Sequence, residues 1–266
     1  MKMLPTGILA NYRFVPPVTR YVLRVTRNTF VPAFKISLIL FFISMIFCSV
    51  SGKDTYDVTS RTIGDTKFHT VNFQVSNGEL YIKQGKTQNL EVKMDENMIS
   101  SLHTDVKDGI LKIYLSGYEA SASSKFYLTV EDLKAIHLTG SNSDITGEEK
   151  IKVDELEIKH NLSPGKISLI LEANKITTEL GSSGDITLAG TVKNHNISLL
   201  GSGDIKSFDL LCEYCEVNIL GSGTVEVNVS KELDVKIMGT GEVVYKGKPE
   251  VEKQVLGNGS CKEYKE

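Results

Sequence analysis

One short phrase returns through the second half of this chain at nearly constant spacing, and that recurrence limits the possible fold more than any other feature. It reads Gly140-Ser141-Asn142-Ser143-Asp144-Ile145, then Gly181-Ser182-Ser183-Gly184-Asp185-Ile186, and is cleanest at Gly201-Ser202-Gly203-Asp204-Ile205. Variants follow at Gly221-Ser222-Gly223-Thr224-Val225, Gly239-Thr240-Gly241-Glu242-Val243 and Gly257-Asn258-Gly259-Ser260, and a degenerate copy stands at Ser163-Pro164-Gly165-Lys166-Ile167. With Asp144, Lys166, Asp185, Asp204, Thr224, Glu242 and Ser260 taken as equivalent, the steps are 22, 19, 19, 20, 18 and 18 residues.

Each unit carries its own folding instructions. Alternating runs such as Ile197-Ser198-Leu199, Val217-Asn218-Ile219 and Val235-Lys236-Ile237 precede the glycines. Period-two alternation puts apolar residues on one face of a strand and polar ones on the other. The glycines let the chain turn sharply, and a β-branched residue opens the next strand. A twenty-residue unit cannot bury its apolar face alone, so the units must stack. Strands about 4.8 Å apart, each residue advancing about 3.3 Å, make one closed coil from each repeat. The reading is all-β: a right-handed parallel β-solenoid with coils of 18–22 residues and an N-terminal β cap. No segment has the 3.6-residue period that a helical repeat of similar length requires.

Ahead of the repeats, Phe68–Val75, Glu79–Gln84, Asn89–Met94 and Ile110–Leu115 read as strands, separated by Ser76-Asn77-Gly78 and Lys107-Asp108-Gly109. Residues 66–130 are expected to form the first coils or a cap over the open end, continuous with repeats at 131–262 as one domain. Residues 53–65 read as a linker.

Residues 1–52 read as an address. Lys2, Arg13, Arg20, Arg24, Arg27 and Lys35 are basic and no acid accompanies them. Ile36–Val50 (ISLILFFISMIFCSV) is a fifteen-residue apolar run, a length that suits a signal peptide better than a spanning helix. Cleavage after Ser51 or Gly52 would release the rest; retention would leave it anchored. Either outcome puts residues 53–266 outside the cytoplasm. Cys48 raises a lipoprotein reading, which the bulky Phe47 before it opposes. Removing the six bases from the chain's formal charge of −3 leaves −9 for residues 53–266, which disfavours a nucleic-acid partner.

The Phe73–Gln84 stretch, Lys107-Asp108-Gly109-Ile110-Leu111-Lys112-Ile113, the Gly-Ser-Gly-Asp-Ile repeats and the ending Gly239–Pro249 together resemble the bacterial auto-transporter adhesin head domain, also called the GIN domain. The resemblance covers roughly residues 66–262. It implies a secreted or surface-displayed β-helical domain of unassigned biochemical function, and it transfers no catalytic residues. The Ser163-Pro164-Gly165 copy departs from the pattern, as a bulge would.

Chemistry is sparse by comparison. His69, His103, His137, His160 and His195 are scattered singly, without metal-site spacing, and read as solvent-facing. Cys212-Glu213-Tyr214-Cys215 has C-x-x-C spacing but lies in a strand, where a redox pair wants a helix N-terminus. Residues three apart on a strand face opposite ways unless a bend intervenes, so packing or a simple disulfide is expected of Cys212, Cys215 and Cys261. The Gly-Ser-Gly-Asp phrase echoes the glycine- and aspartate-rich turns of calcium-binding β-helices, which makes Asp144, Asp185, Asp204 and Glu242 the calcium candidates. Against that stand the turn preference of short polar residues and the interruptions at Lys166, Thr224 and Ser260. No cofactor motif is present. The sequons at Asn161, Asn196, Asn228 and Asn258 coincide with turn-forming composition and carry no functional reading.

The functional expectation is an exported, non-enzymatic solenoid that presents a surface to an envelope or surface protein, or to a glycan. Membrane contact would come only through the N-terminal segment. An envelope structural protein pairing through a solenoid edge is the alternative. A carbohydrate-active enzyme is a third reading, weakened because coils this short leave little chain for cleft-building loops.

Overall fold

The computed structural model describes residues 66–117, 123–161 and 164–265, with residue 63 and the backbone of 56–61. The N-terminal address with Cys48, and Ser163 of the degenerate turn, lie outside the described residues.

The repeats stack as parallel coils. Strands β10 (Ile151–His160), β11 (Gly165–Leu180), β12 (Asp185–Leu199), β13 (Ile205–Ile219) and β14 (Thr224–Ile237) each pair in parallel with the next, one repeat to one coil. The last coil is split into β15 (Glu242–Gly247) and β16 (Glu250–Val255), both on β14, and β17 (Ser260–Glu263) lies on β15.

Register turns the alternation into ladders. Ile145, Ile167, Ile186, Ile205, Val225, Val243 and Cys261 occupy successive rungs, and all but Cys261 are fully buried. At roughly 1.5–3 kcal/mol for each buried aliphatic side chain, such ladders are the main favourable term for a coil that has no stability alone. The glycine phrases stack as tightly. A Cβ on Gly223 would stand 1.8 Å from the Gly203 carbonyl oxygen, and one on Gly203 would stand 1.8 Å from that of Gly184. Only glycine lets consecutive turns approach this closely.

The N-terminal coils stack out of chain order. Strands β2 (Thr70–Gln74) and β3 (Gly78–Gln84) form the first coil. The chain then runs outward through β4 (Asn89–Asp95), the one-turn helix α1 (Glu96–Ile99) and β5 (Leu102–Lys107), and returns as β6 (Ile110–Leu115) and β7 (Ser124–Val130). Strands β6 and β7 lie parallel to β2 and β3 on one side. Strands β8 (Ala135–Leu138) and β9 (Ser143–Gly147) lie parallel to the same two on the other side. The first coil in sequence is therefore sandwiched between the second and the third. Asn72 stands between Lys112 and His137, and Leu80 between Phe126 and Ile145.

Antiparallel strands close this end. Strand β4 lies on β7, β5 on β6, and β1 (Tyr56–Arg61) on β4. Asp108 and Gly109, both at positive φ, make the two-residue hairpin turn between β5 and β6. Residues 53–65, expected to be a linker, thus contribute an edge strand to the cap; β1 has Val58 as its only aliphatic residue, which gave little local sign of a strand. Cap and repeats together form one compact unit, Asp54–Glu266.

The opposite end is barely covered. Strands β16 and β17 pair on one side only, and their side chains are mostly exposed. Lys253 occupies the inward rung after Val235, and its ammonium reaches the Cys261 carbonyl at 3.4 Å. An inward-pointing charge on an edge strand blocks further stacking.

Candidate functional site

The glycine turns bring the acidic candidates into one column, in the order Asp144, Lys166, Asp185, Asp204, Thr224, Glu242, Ser260. Asp185 and Asp204 are neighbours there, as the spacing predicts. Their carboxylates, however, have local tasks. Asp144 accepts from the Lys166 backbone N–H at 2.8 Å, Asp185 from that of Asp204 at 3.4 Å, and Asp204 from that of Thr224 at 2.9 Å. Lys206 lies against both, 2.8 Å from Asp185 and 3.9 Å from Asp204, and offsets one of the two charges. Glu242 binds the Ser260 hydroxyl and the Lys262 ammonium. Lys166 separates Asp144 from Asp185 and Thr224 separates Asp204 from Glu242, so the four acids do not converge.

Two histidines correct the solvent-facing expectation: His160 and His195 are fully buried. His160 sits on an inward rung between Leu138 and Leu180. Its Nε2 donates to the Gly165 carbonyl at 3.0 Å, and its Nδ1 accepts from the Ser182 hydroxyl at 3.3 Å. The imidazole thus braces the degenerate turn from inside. Burial lowers the pKa of His160, and the bond to Gly165 opposes that shift. His195 lies between Ile176 and Cys215, and burial pushes its pKa down to about 3. His69 and His137 are half-buried and His103 is exposed.

The C-x-x-C residues both turn inward, because the chain bends at Glu213, where the ladder register shifts between Cys212 and Tyr214. That bend brings the two thiols into contact. Hydrogen bonding with Cys212, followed by burial, raises the Cys215 pKa, the reverse of what a thiolate nucleophile needs. Cys212, Cys215 and Cys261 are all free thiols.

A shallow hollow of about 420 Å³ opens where the chain passes from β7 to β8, lined by Asp132, Lys134, Asp154, Glu155, Glu157 and Lys175 among others. Burial pushes the Glu157 carboxyl up, but hydrogen bonds from His137 and Lys159 outweigh it and leave the pKa below the usual carboxylate range. That is the wrong direction for a general acid at neutral pH. The outward aromatic rings meet cations and one another. Tyr81 stacks on Tyr127 at 5.1 Å with Lys93 over the Tyr127 ring, and Lys246 stands 4.4 Å from Phe208 and 4.6 Å from Tyr264.

One surface feature escaped the sequence reading. Leu200, Leu220, Met238 and Leu256 directly follow the inward rungs Leu199, Ile219, Ile237 and Val255, so they stack one above another. Their exposures are 47%, 52%, 57% and 70%. Beside this ridge runs a shallow trough, the glycine column Gly201, Gly221, Gly239 and Gly257, walled on its far side by the exposed Ser202, Ser222, Thr240 and Asn258, while Gly203, Gly223 and Gly241 are buried. Ridge, trough and polar wall comprise twelve residues without a charge; at the chain's 24% charged share, about three would be expected. The cue was available in sequence as the apolar residue before each glycine, which is easily taken for part of the buried run.

The family described as "Putative auto-transporter adhesin, head GIN domain" matches residues 67–249. No curated protein matches. A crystal structure described as "a putative adhesin", from Bacteroides fragilis, superposes with a TM-score of 0.71 at 21% identity, covering 79% of this chain and 99% of that one. Another, from Parabacteroides distasonis, gives 0.65 at 23% identity, covering 79% and 98%. A third, described as "Putative lipid binding protein", from Parabacteroides distasonis, gives 0.61 at 28% identity, covering 80% and 98%.

Proposed function

The chain belongs to the auto-transporter adhesin head (GIN) domain family, and from that premise we propose that it is an exported, non-enzymatic β-solenoid presenting its lateral surface for adhesion or protein interaction. The observation that carries this reading is the uncharged edge with its exposed ridge, Leu200 to Leu256. Soluble proteins seldom leave aligned apolar side chains in water unless something covers them. Three features favour binding over turnover: the acids of the glycine column are engaged with backbone and lysine, Glu157 sits below the usual range, and the paired thiols are buried. The adhesin descriptions of the family and its relatives, with the basic and apolar residues 1–52, support display outside the cytoplasm. The membrane then serves only as an anchor or exit route.

The test is protease shaving of intact cells, combined with binding of the purified chain to the surface of the producing cells. The expected result is external cleavage within residues 53–266 and saturable binding. Retention in the cytoplasm, or polysaccharide turnover abolished by one carboxylate substitution, would overturn the reading.

A further inference from the structure

We propose that the Leu200–Leu220–Met238–Leu256 ridge docks a second copy of this chain, in a two-fold, side-by-side dimer. The inference rests on the interaction-surface reading and names its partner.

Shape is the first argument. Coils rise about 4.8 Å each, so the four side chains form a ridge on the order of 14 Å long with even notches. The trough beside it is the column Gly201, Gly221, Gly239 and Gly257, which carries no side chains and so lies below both the ridge and the exposed Ser202, Ser222, Thr240 and Asn258 on its far side. A ridge beside a parallel trough of the same period is self-complementary. Rotation by two-fold symmetry lays each ridge in the other trough, as an isologous interface requires.

Charge is the second. Residues 53–266 carry a formal −9, the chain's −3 less the six N-terminal bases, so two copies repel across most approaches. The twelve-residue edge is uncharged, and along it two copies can meet without desolvating an ion. Ser202, Ser222 and Thr240 are exposed hydroxyls on the far wall of the trough, available to bond across the interface.

Area sets the strength. The four side chains expose on the order of 400 Å² per copy, a large patch for a monomer. Two copies would bury roughly 800 Å² from these residues, below the standard interface. An interface of that size is expected to be weak and reversible. With no ion pair at its centre, added salt leaves it intact or strengthens it.

The test is sedimentation equilibrium of the full chain in density-matched mild detergent from 1 to 100 µM, at low and high salt. The expected result is a monomer–dimer equilibrium that salt does not weaken. It should shift at least 100-fold toward monomer in the Leu220→Glu/Met238→Glu double variant and also in Ser222→Arg, which keeps the ridge but sets like charges on the wall of the trough. Ile170→Glu, on another face and 44% exposed, should dimerise as the unaltered chain does. Unchanged circular dichroism and melting would confirm that each variant folds. A chain monomeric at 100 µM, or a dimer indifferent to both edge variants, would overturn the proposal. So would a monomer whose ridge binds phosphatidylcholine vesicles in a flotation assay. A monomer that still binds cells would refute the second copy while leaving the function above intact.

Discussion

His195 Nε2 lies 3.0 Å from Thr178 Oγ1 inside the coil, with both residues almost completely shielded from water and the His195 Nδ1 left without a hydrogen-bond partner. A neutral imidazole tolerates this environment and a cationic one does not. Its pKa falls from an ordinary 6.5 to about 3. Across that window the unfolded chain binds a proton that the folded chain excludes. Stability should therefore be full above pH 6.5 and decline as pH falls, by about 1.4 kcal/mol per pH unit from this group. Urea unfolding of the unaltered chain and His195→Leu at pH 7.5 and 5 checks it. The variant carries a constant penalty of about 1–3 kcal/mol for the orphaned Thr178 hydroxyl but loses less stability on acidification. Equal acid losses in the two proteins would count against a buried neutral His195.

Gly223→Ala should be among the most damaging single-methyl additions in the molecule. The new carbon meets a backbone oxygen, which cannot rotate aside as a flexible side chain can. A loss above about 3 kcal/mol is expected, because separating two turns disturbs every ladder that crosses them. Ser222→Ala, one residue earlier on an exposed position, should cost under about 0.5 kcal/mol in the same melts.

The thiols should divide by accessibility. A brief iodoacetamide pulse on the folded chain, read by peptide mass mapping, should label Cys261 and leave Cys212 and Cys215 untouched until denaturant is added. Cys261 is half-buried at the thin end of the coil, whereas the other two lie in the core. Even Cys261 should react slowly, since burial raises its pKa.

Lys253 guards the open end. Replacing it by Val would complete an apolar rung above Val235 and remove the inward charge from β16. Lys253→Val is expected to assemble end to end into concentration-dependent species larger than a dimer, seen by light scattering. Scattering no greater than that of the unaltered chain would mean the end is protected in another way.

Most of the architecture was legible because a ladder is a sequence pattern: Ile167, Ile186, Ile205 and Val225 hold the same place in each phrase and stack as neighbours. The strands Ile110–Leu115 and Glu79–Gln84 were also readable from local alternation. Their stacking order was not. Nothing local to Phe73 says that Ile113 and Leu138 will lie on either side of it, since that depends on how a distant segment folds back. The buried histidines were missed for a related reason. His160 and His195 follow the inward period, but polar side chains discourage an inward assignment until their partners, Gly165, Ser182 and Thr178, are in view. In the acidic column the spacing gave the neighbours correctly; only the geometry reveals that each aspartate is engaged by the next coil's backbone N–H.

The most direct test of the stacked-coil account is a set of spin-label distances from Lys166 to Thr224, Glu242 and Ser260, which stand three, four and five coils along one column. The account predicts backbone separations of roughly 14, 19 and 24 Å, climbing by about 4.8 Å with each repeat. Distances that fail to climb, or that alternate between near and far as strands of a sandwich would, contradict it.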